Sequence, residues 1–380
     1  MSILDTAADD AVAPASARIA EIRTRSVSAD YVRPFAISSG VSTTLTSVVV
    51  EVRTEDGTTG SGESSPMTAY SGDTEAGVTA AIRDHLAPAL IGTDPMAFAA
   101  ANARMDAALR GQRIAKAGVD IALHDLAGRL SGLPTHRFLG GAVRAKVPST
   151  WVVGLAPVED SVAEAVERAA AGFGHIKVKG GGDPERDLTL VREVRAALPP
   201  GVELSMDANE GYDLPTAQRV LPRMADAGLA IVEQPLPHWD VAGMARLRER
   251  LELRVMADES VQSLHQAHQV AALGAADIIN IKILKVGGLY RALQVAAVAA
   301  GAGLAVKIGS MPELGVATLA ALHLSAALPH ATVPPDLVGP LMVRDEPLAP
   351  EAFAAAGGGT VAVPTVPGLG PITDSGPDAR

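Results

Sequence analysis

The sequence predicts an α/β protein built on a (β/α)-barrel, a modified TIM barrel, with an N-terminal α+β domain that the C-terminal segment returns to complete. Three observations carry that reading. After Val147, short apolar runs alternate with amphipathic ones at the spacing of consecutive parallel βαβ units. Before that point the period changes once, from strand-like alternation to helical spacing. Past residue 331 the units give way to Pro- and Gly-rich turns and one more strand-like run, "GTVAVP".

Taken in order, residues 1–16 are acidic, lack the pattern of a signal peptide and read as a disordered tail. Residues 17–140 form the α+β domain. Its strands include the pair in "TSVVVEVRTEDGTTGSGES", joined at Asp56-Gly57, a hairpin signal. Its helices occupy 75–132, and "AKAGVDIALHDLAGRLSG" stops on a glycine. Residues 141–335 carry the barrel strands "STWVVG", "HIKVKG", "ELSMDAN", "AIVEQP", "RVMADES", "DIINIKI" and "AVKIG". The helices between them include 185–198, 214–228, 240–251, 263–273, 288–301 and 313–327. Residues 336–380 are expected to supply the last barrel strand and the return to the first domain.

Composition narrows the function. A net charge of −11, with the charges interspersed, argues against nucleic acid and anionic membranes as partners. The absence of cysteine excludes disulfides, thiolate metal sites and cysteine nucleophiles. No apolar run reaches transmembrane length, so a cytoplasmic protein is expected.

Reactive groups of such barrels sit at the C-terminal ends of the strands. Here Lys177 and Lys179, Asp207, Glu233, Asp258 and Lys282 end successive strands. From Lys179 to Lys282 the steps are 28, 26, 25 and 24 residues, each about one unit. Three carboxylates therefore meet at one height between lysines. They repel one another unless a cation intervenes, and an all-oxygen set favours a hard ion such as Mg²⁺. Ordinary ion pairs are the competing reading, but so much buried charge is costly without a function. Two lysines one pleat apart also acquire a purpose. A lysine is a poor base at its free pKa of about 10.4, and a neighbouring ammonium lowers it. Lys177 would thus tune Lys179, with Lys282 facing it across the mouth, the geometry of a two-base racemase.

The motifs "KVK", "DAN", "EQP", "ADES" and "NIKILKVGG", in this order, resemble the muconate-lactonising (muconate cycloisomerase) subgroup of the enolase superfamily. The resemblance spans residues 17–372 and includes "EDGTTGSGES" and "GLPTHRFLGG" in what would be its capping domain. It implies Asp207, Glu233 and Asp258 as Mg²⁺ ligands, with Mn²⁺ as a substitute, and Lys179 and Lys282 as paired acid/base lysines. Asn209 and Glu259 are expected either to support the ligands or to form a polar rim, and Lys285 to be either a solvated lysine, the leading reading, or a partner of the ligands from outside. Glu313 in "GSMPELG" either lines the site or starts a helix. Segments 33–47 and 65–73 match the family's lid loops, and Tyr70 is a candidate substrate contact or a packing residue. His124, His265 and His268 read as packing or surface residues. A small carboxylate substrate and a homo-oligomer are also implied.

Dipeptide epimerases resembled here carry an Asp-x-Asp pair near the last strand that holds an ammonium group. This chain has Asp336 and then Val338, which weakens the case for a free α-amino group. Racemisation or epimerisation of an amino-acid derivative leads, with muconate-type lactonisation second. Dehydration of an acid, and a barrel kept only for binding, remain as alternatives.

Overall fold

The computed structural model describes residues 14–37, 40–353 and 358–373. Residues 1–13 of the expected tail and 38–39 of the expected lid lie outside the described residues. The N-terminal domain is an antiparallel meander of β1 (Ile19–Ile37), β2 (Gly40–Thr54) and β3 (Thr59–Ser64). Asp56 makes the β2–β3 turn: its Oδ1 accepts from Thr54 Oγ1 at 2.6 Å and from Thr58 N at 3.0 Å. The helix Arg113–Ser131 lies against this sheet at glycine contact. A Cβ on Gly62 would stand 1.9 Å from Gly118 O, so only glycine fits.

Segment 33–47 is no loop. It is the tip of the β1–β2 hairpin, pairing Phe35 with Ser42 and Ala36 with Val41 after a register shift beyond Asp30. Its Ser and Thr side chains serve as polar strand residues, as in the 2.8 Å hydrogen bonds Ser28–Thr46 and Thr44–Asp30. Segment 65–73 contains one helical turn, Thr68–Ser71, ended by Gly72 at φ +76°.

After β4 (Lys146–Pro148) come seven parallel strands paired in chain order. They are β5 (Trp151–Val153), β6 (His175–Lys179), β7 (Glu203–Asp207), β8 (Ile231–Glu233), β9 (Arg254–Ala257), β10 (Ile278–Lys282) and β11 (Ala305–Gly309). An extended segment, 331–337, runs between β11 and β5. It bridges Val306 to Ala331, and Asp336 N donates to Ile308 O. On its other side Thr150 N donates to Pro335 O. Pro334 and Pro335 have no N–H, so this stave cannot complete a regular ladder. The run expected as the last barrel strand, β12 (Thr360–Ala362), instead pairs antiparallel with β4. The chain does return to the first domain: Tyr31 bridges Val343, Pro134 bridges Gly368, and Leu369 N donates to Asp125.

Along each barrel strand alternate residues face the interior. An apolar layer of Ile231, Met256, Ile278 and Val333 fills the interior. The charged residues stand further toward the C-terminal ends of the same strands. Two carboxylates of the first domain cap barrel helices. Glu63 accepts from Leu314 N and Ala317 N at 2.6 and 2.8 Å, and Asp120 accepts from Leu289 N at 2.6 Å. Among the described residues no helix is long and apolar enough to cross a membrane.

Candidate active site

Ladder register puts Lys179 opposite Asp207, and Asp207 opposite Glu233. Asp258 breaks the expected common height, because Met256 is the residue opposite Glu233. Asp258 stands one pleat further on, and the tilt of barrel strands brings it to the others. One oxygen from each acid lies within 4.8 Å of the others, all three side chains being fully buried.

Each acid is held by one oxygen so that the other turns inward. Asn209 N donates to Asp207 Oδ1 at 3.0 Å, Asn280 Nδ2 to Glu233 Oε1 at 2.8 Å, and Lys285 Nζ to Asp258 Oδ1 at 2.5 Å. The other oxygens face ammonium groups. Asp207 Oδ2 is 2.7 Å from Lys179 and 3.1 Å from Lys177; Glu233 Oε2 is 2.6 Å from Lys177; Asp258 Oδ2 is 2.7 Å from Lys282. Glu233 Oε2 and Asp258 Oδ2 have ion pairs but no aligned hydrogen-bond donor. Three converging, buried carboxylate oxygens, two of them without an aligned donor, fit a hard divalent cation.

Burial pushes Asp207 and Asp258 up, but their lysine neighbours outweigh it and hold both well below the usual carboxylate range. Glu233 is raised, by burial and then by Asp207. Burial opposes the charge on Lys177, yet Asp207, Asp336 and Glu233 raise its pKa well above the ordinary value. Lys282 is raised in the same way, chiefly by Asp258. Burial and then Asp258 lift Glu259 to about 8.

With segment 331–337 counted, the barrel has eight staves, and β6 and β10 lie four apart. Lys179 and Lys282 therefore project from opposite walls, with the carboxylates on the arc between them. Asn209, at φ +41°, accepts from Lys179 Nζ at 2.9 Å and donates to Glu259 at 3.0 Å. Tyr70 covers Lys282, its hydroxyl 3.4 Å and its ring centroid 4.7 Å from Nζ. Both domains line the cavity above, which includes Lys177, Lys179, Tyr70, Asn209, Lys282 and Asp336.

Three expectations change. Lys285 is not solvated: it is buried and also donates to the carbonyls of Asp258 and Asn280. Glu313 neither lines this cavity nor starts a helix; Ser310, Met311 and Pro312 line it, and the helix begins at Gly315. Glu313 is buried, and that burial raises its pKa well above the carboxylate range. Asp336 does reach the cavity, but it lies between Lys307 Nζ at 2.7 Å and Lys177 Nζ at 3.4 Å. His124 packs in the interior, whereas His265 and His268 are exposed. Lys307, Asn280 and Gln234 escaped the sequence reading. Gln234 fixes the loop after β9 by accepting from Asp258 N and Ser260 N. A lysine or asparagine inside an apolar strand run was the available signal.

A barrel whose strand ends hold three acids between lysines, under a meander-and-helix cap, is the architecture of the enolase superfamily. The chain belongs to the mandelate racemase/muconate lactonizing enzyme family of that superfamily: residues 19–140 match its N-terminal domain, and residues 160–374 match the enolase C-terminal domain-like family. It falls with the muconate cycloisomerase subgroup and is an isomerase. Muconate cycloisomerase 1 of Rhodococcus opacus is 33% identical over 93% of this chain and 95% of its own length. The dipeptide epimerase of Enterococcus faecalis V583, solved with Mg and the dipeptide L-Leu-L-Tyr, superposes with a TM-score of 0.90 at 29% identity. That match covers 94% of this chain and 99% of the other. The N-succinyl Arg/Lys racemase of Bacillus cereus ATCC 14579 gives 0.90 at 28% identity, covering 94% and 96%. Membership of a family of isomerases sets aside the binding-only alternative.

Proposed function

We propose that the protein inverts the configuration of the carbon next to a carboxylate in an amino-acid derivative, by proton transfer between Lys179 and Lys282. The observation that carries this reading is their placement on opposite walls of one barrel, each touching the same carboxylate cluster. Asp207, Glu233 and Asp258 would hold Mg²⁺, with Mn²⁺ as a substitute. Bound there, the ion would neutralise the three acids and supply positive charge beside the substrate carboxylate.

Lys179 takes the proton from one face of the carbon and Lys282 returns one to the other; the reverse direction exchanges their roles. Lys177, kept charged by its three acids, places a positive neighbour beside Lys179, since both contact Asp207 Oδ2. Asn209 aims Lys179, and Tyr70 limits water around Lys282.

Lactonisation of a muconate-type diacid is the second reading, favoured by the 33% identity to a muconate cycloisomerase. Incubation with Mg²⁺ in D₂O separates the two. The lead reading expects deuterium at the α-carbon, with racemisation of N-acyl amino acids or appearance of the second diastereomer from dipeptides. Lactone from muconate, without α-exchange on any amino-acid derivative, overturns it.

A further inference from the structure

Lys307 is the one charge in β11, and it is fully buried. It stands opposite Asn280 on β10, one pleat below the Lys282–Gly309 pair, and so lies in the barrel interior beneath the carboxylates. Its Nζ is 2.7 Å from Asp336 Oδ1, with no aligned hydrogen bond on either atom, so the contact is charge on charge. Asp336 Oδ2 accepts from Lys177 Nζ at the longer distance of 3.4 Å. Lys177 in turn is closer to Glu233 Oε2, at 2.6 Å, and to Asp207 Oδ2, at 3.1 Å. Asp336 makes no other ion pair among the described residues. His175, buried on β6, is no substitute cation: burial first, then the Lys307 charge, hold its pKa down to about 3.

A buried ion pair is weak ground for stability, because apolar side chains of the same volume often serve as well. The distances give Lys307 a different purpose. Attraction between charges weakens with separation, and the flexible stem of Lys177 can lean toward any of its three acids. With Lys307 on Asp336, the balance at Lys177 tips toward Glu233 and Asp207. Without Lys307, Asp336 would be a buried carboxylate with a single cation and would draw Lys177 to itself. We infer that Lys307 is a positioning residue: by neutralising Asp336 it keeps the Lys177 ammonium on Asp207 and Glu233, beside Lys179. Its consequence for turnover rests on the racemase reading above; its consequence for metal binding does not.

Lys307→Met in the full chain tests both. In a calorimetric titration without substrate, Mg²⁺ should bind about tenfold tighter than in the wild type, because Lys177 no longer competes for Glu233 Oε2 and Asp207 Oδ2. Asp336→Asn should weaken Mg²⁺ binding instead. Deuterium exchange at saturating Mg²⁺ is then followed on each enantiomer of N-propionyl-phenylalanine. Lys179 is left alone on Asp207 Oδ2, so the enantiomer that Lys179→Ala no longer exchanges should slow in kcat by about tenfold or more. The other enantiomer should stay within about twofold, since Lys282 rests on Asp258 Oδ2 and Tyr70, outside this chain of contacts. The double variant Lys307→Met/Asp336→Asn folds without a stranded carboxylate and should return both readouts toward wild type. Equal slowing of both enantiomers, unchanged Mg²⁺ affinity in Lys307→Met, or a double variant as altered as the single one overturns the inference. Lactone from muconate without α-exchange in the wild type overturns the racemase reading alone; the titration, which uses no substrate, still decides the role of Lys307.

Discussion

Lys285 shows how a single residue sets the site. Its ammonium ties Asp258 Oδ1 to the carbonyls of Asp258 and Asn280, which leaves Oδ2 to face the centre. Partners of this kind typically change metal affinity 10–100-fold when removed. Lys285→Met should therefore weaken Mg²⁺ binding by about that factor in a calorimetric titration, with α-exchange recovering at high Mg²⁺. Unchanged affinity would show that Asp258 keeps its orientation without help. The burial of Lys285 was not legible in "NIKILKVGG", because the short helix Ile283–Val286 that turns it inward is fixed by tertiary packing. Lys179, Asp207 and Glu233 were legible because strand ends and a repeating spacing suffice to place them. Lys307 was visible as a charge in an apolar strand. Its purpose depends on Asp336, which arrives from 29 positions further along the chain.

At the scale of elements, all seven paired strands could be read from apolar runs of the right length and spacing. The eighth stave could not: Pro334 and Pro335 abolish strand character, and its position follows from the gap between β5 and β11. The hairpin tip at 33–47 reads as a loop in the sequence because Ser, Thr and Gly signal turns as readily as polar strands. The helix Gly315–Ala327 carries a pH-sensitive feature that sequence did not expose. His323 is fully buried, with Nδ1 accepting from His136 N and Nε2 donating to Leu369 O. Burial lowers its pKa to about 4. The unfolded chain would bind a proton there near pH 6.5, whereas the folded protein stays neutral down to about pH 4. The stability present above pH 6.5 is thus lost as the pH falls through that window, by about 3 kcal/mol. His323→Asn should lower Tm at pH 8 yet reduce its decline between pH 6.5 and 4 in scanning calorimetry. An unaltered decline would assign the acid sensitivity elsewhere.

Over the whole molecule, the cap and barrel are joined by buried carboxylates that end one domain's hydrogen bonds on the other's helices. Asp120 receives Leu289 N, Tyr290 N and Asn102 Nδ2, and Gly288 lies so close that a Cβ would meet Asp120 Oδ2 at 2.4 Å. Asp120→Ala leaves buried donors unmet and should cost about 2–4 kcal/mol, with one unfolding transition retained. Two separated calorimetric transitions in the wild type would show that the domains are not coupled in this way. Metal joins the same balance: Mg²⁺ at 100 times its Kd would stabilise the folded state by about 2.7 kcal/mol, so EDTA should lower Tm and abolish exchange, and added Mg²⁺ should restore both. A Tm indifferent to EDTA and Mg²⁺ would contradict binding at Asp207, Glu233 and Asp258.

The central claim is that Lys179 and Lys282 serve opposite faces of one carbon. Stereochemically resolved α-deuterium exchange of the two single alanine variants tests it most directly, with each enantiomer of N-propionyl-phenylalanine followed separately. Each variant should lose exchange on one enantiomer by about 10²–10⁴-fold, and the two variants should lose opposite enantiomers. Loss of the same enantiomer in both variants, or wild-type exchange in either, would contradict the account.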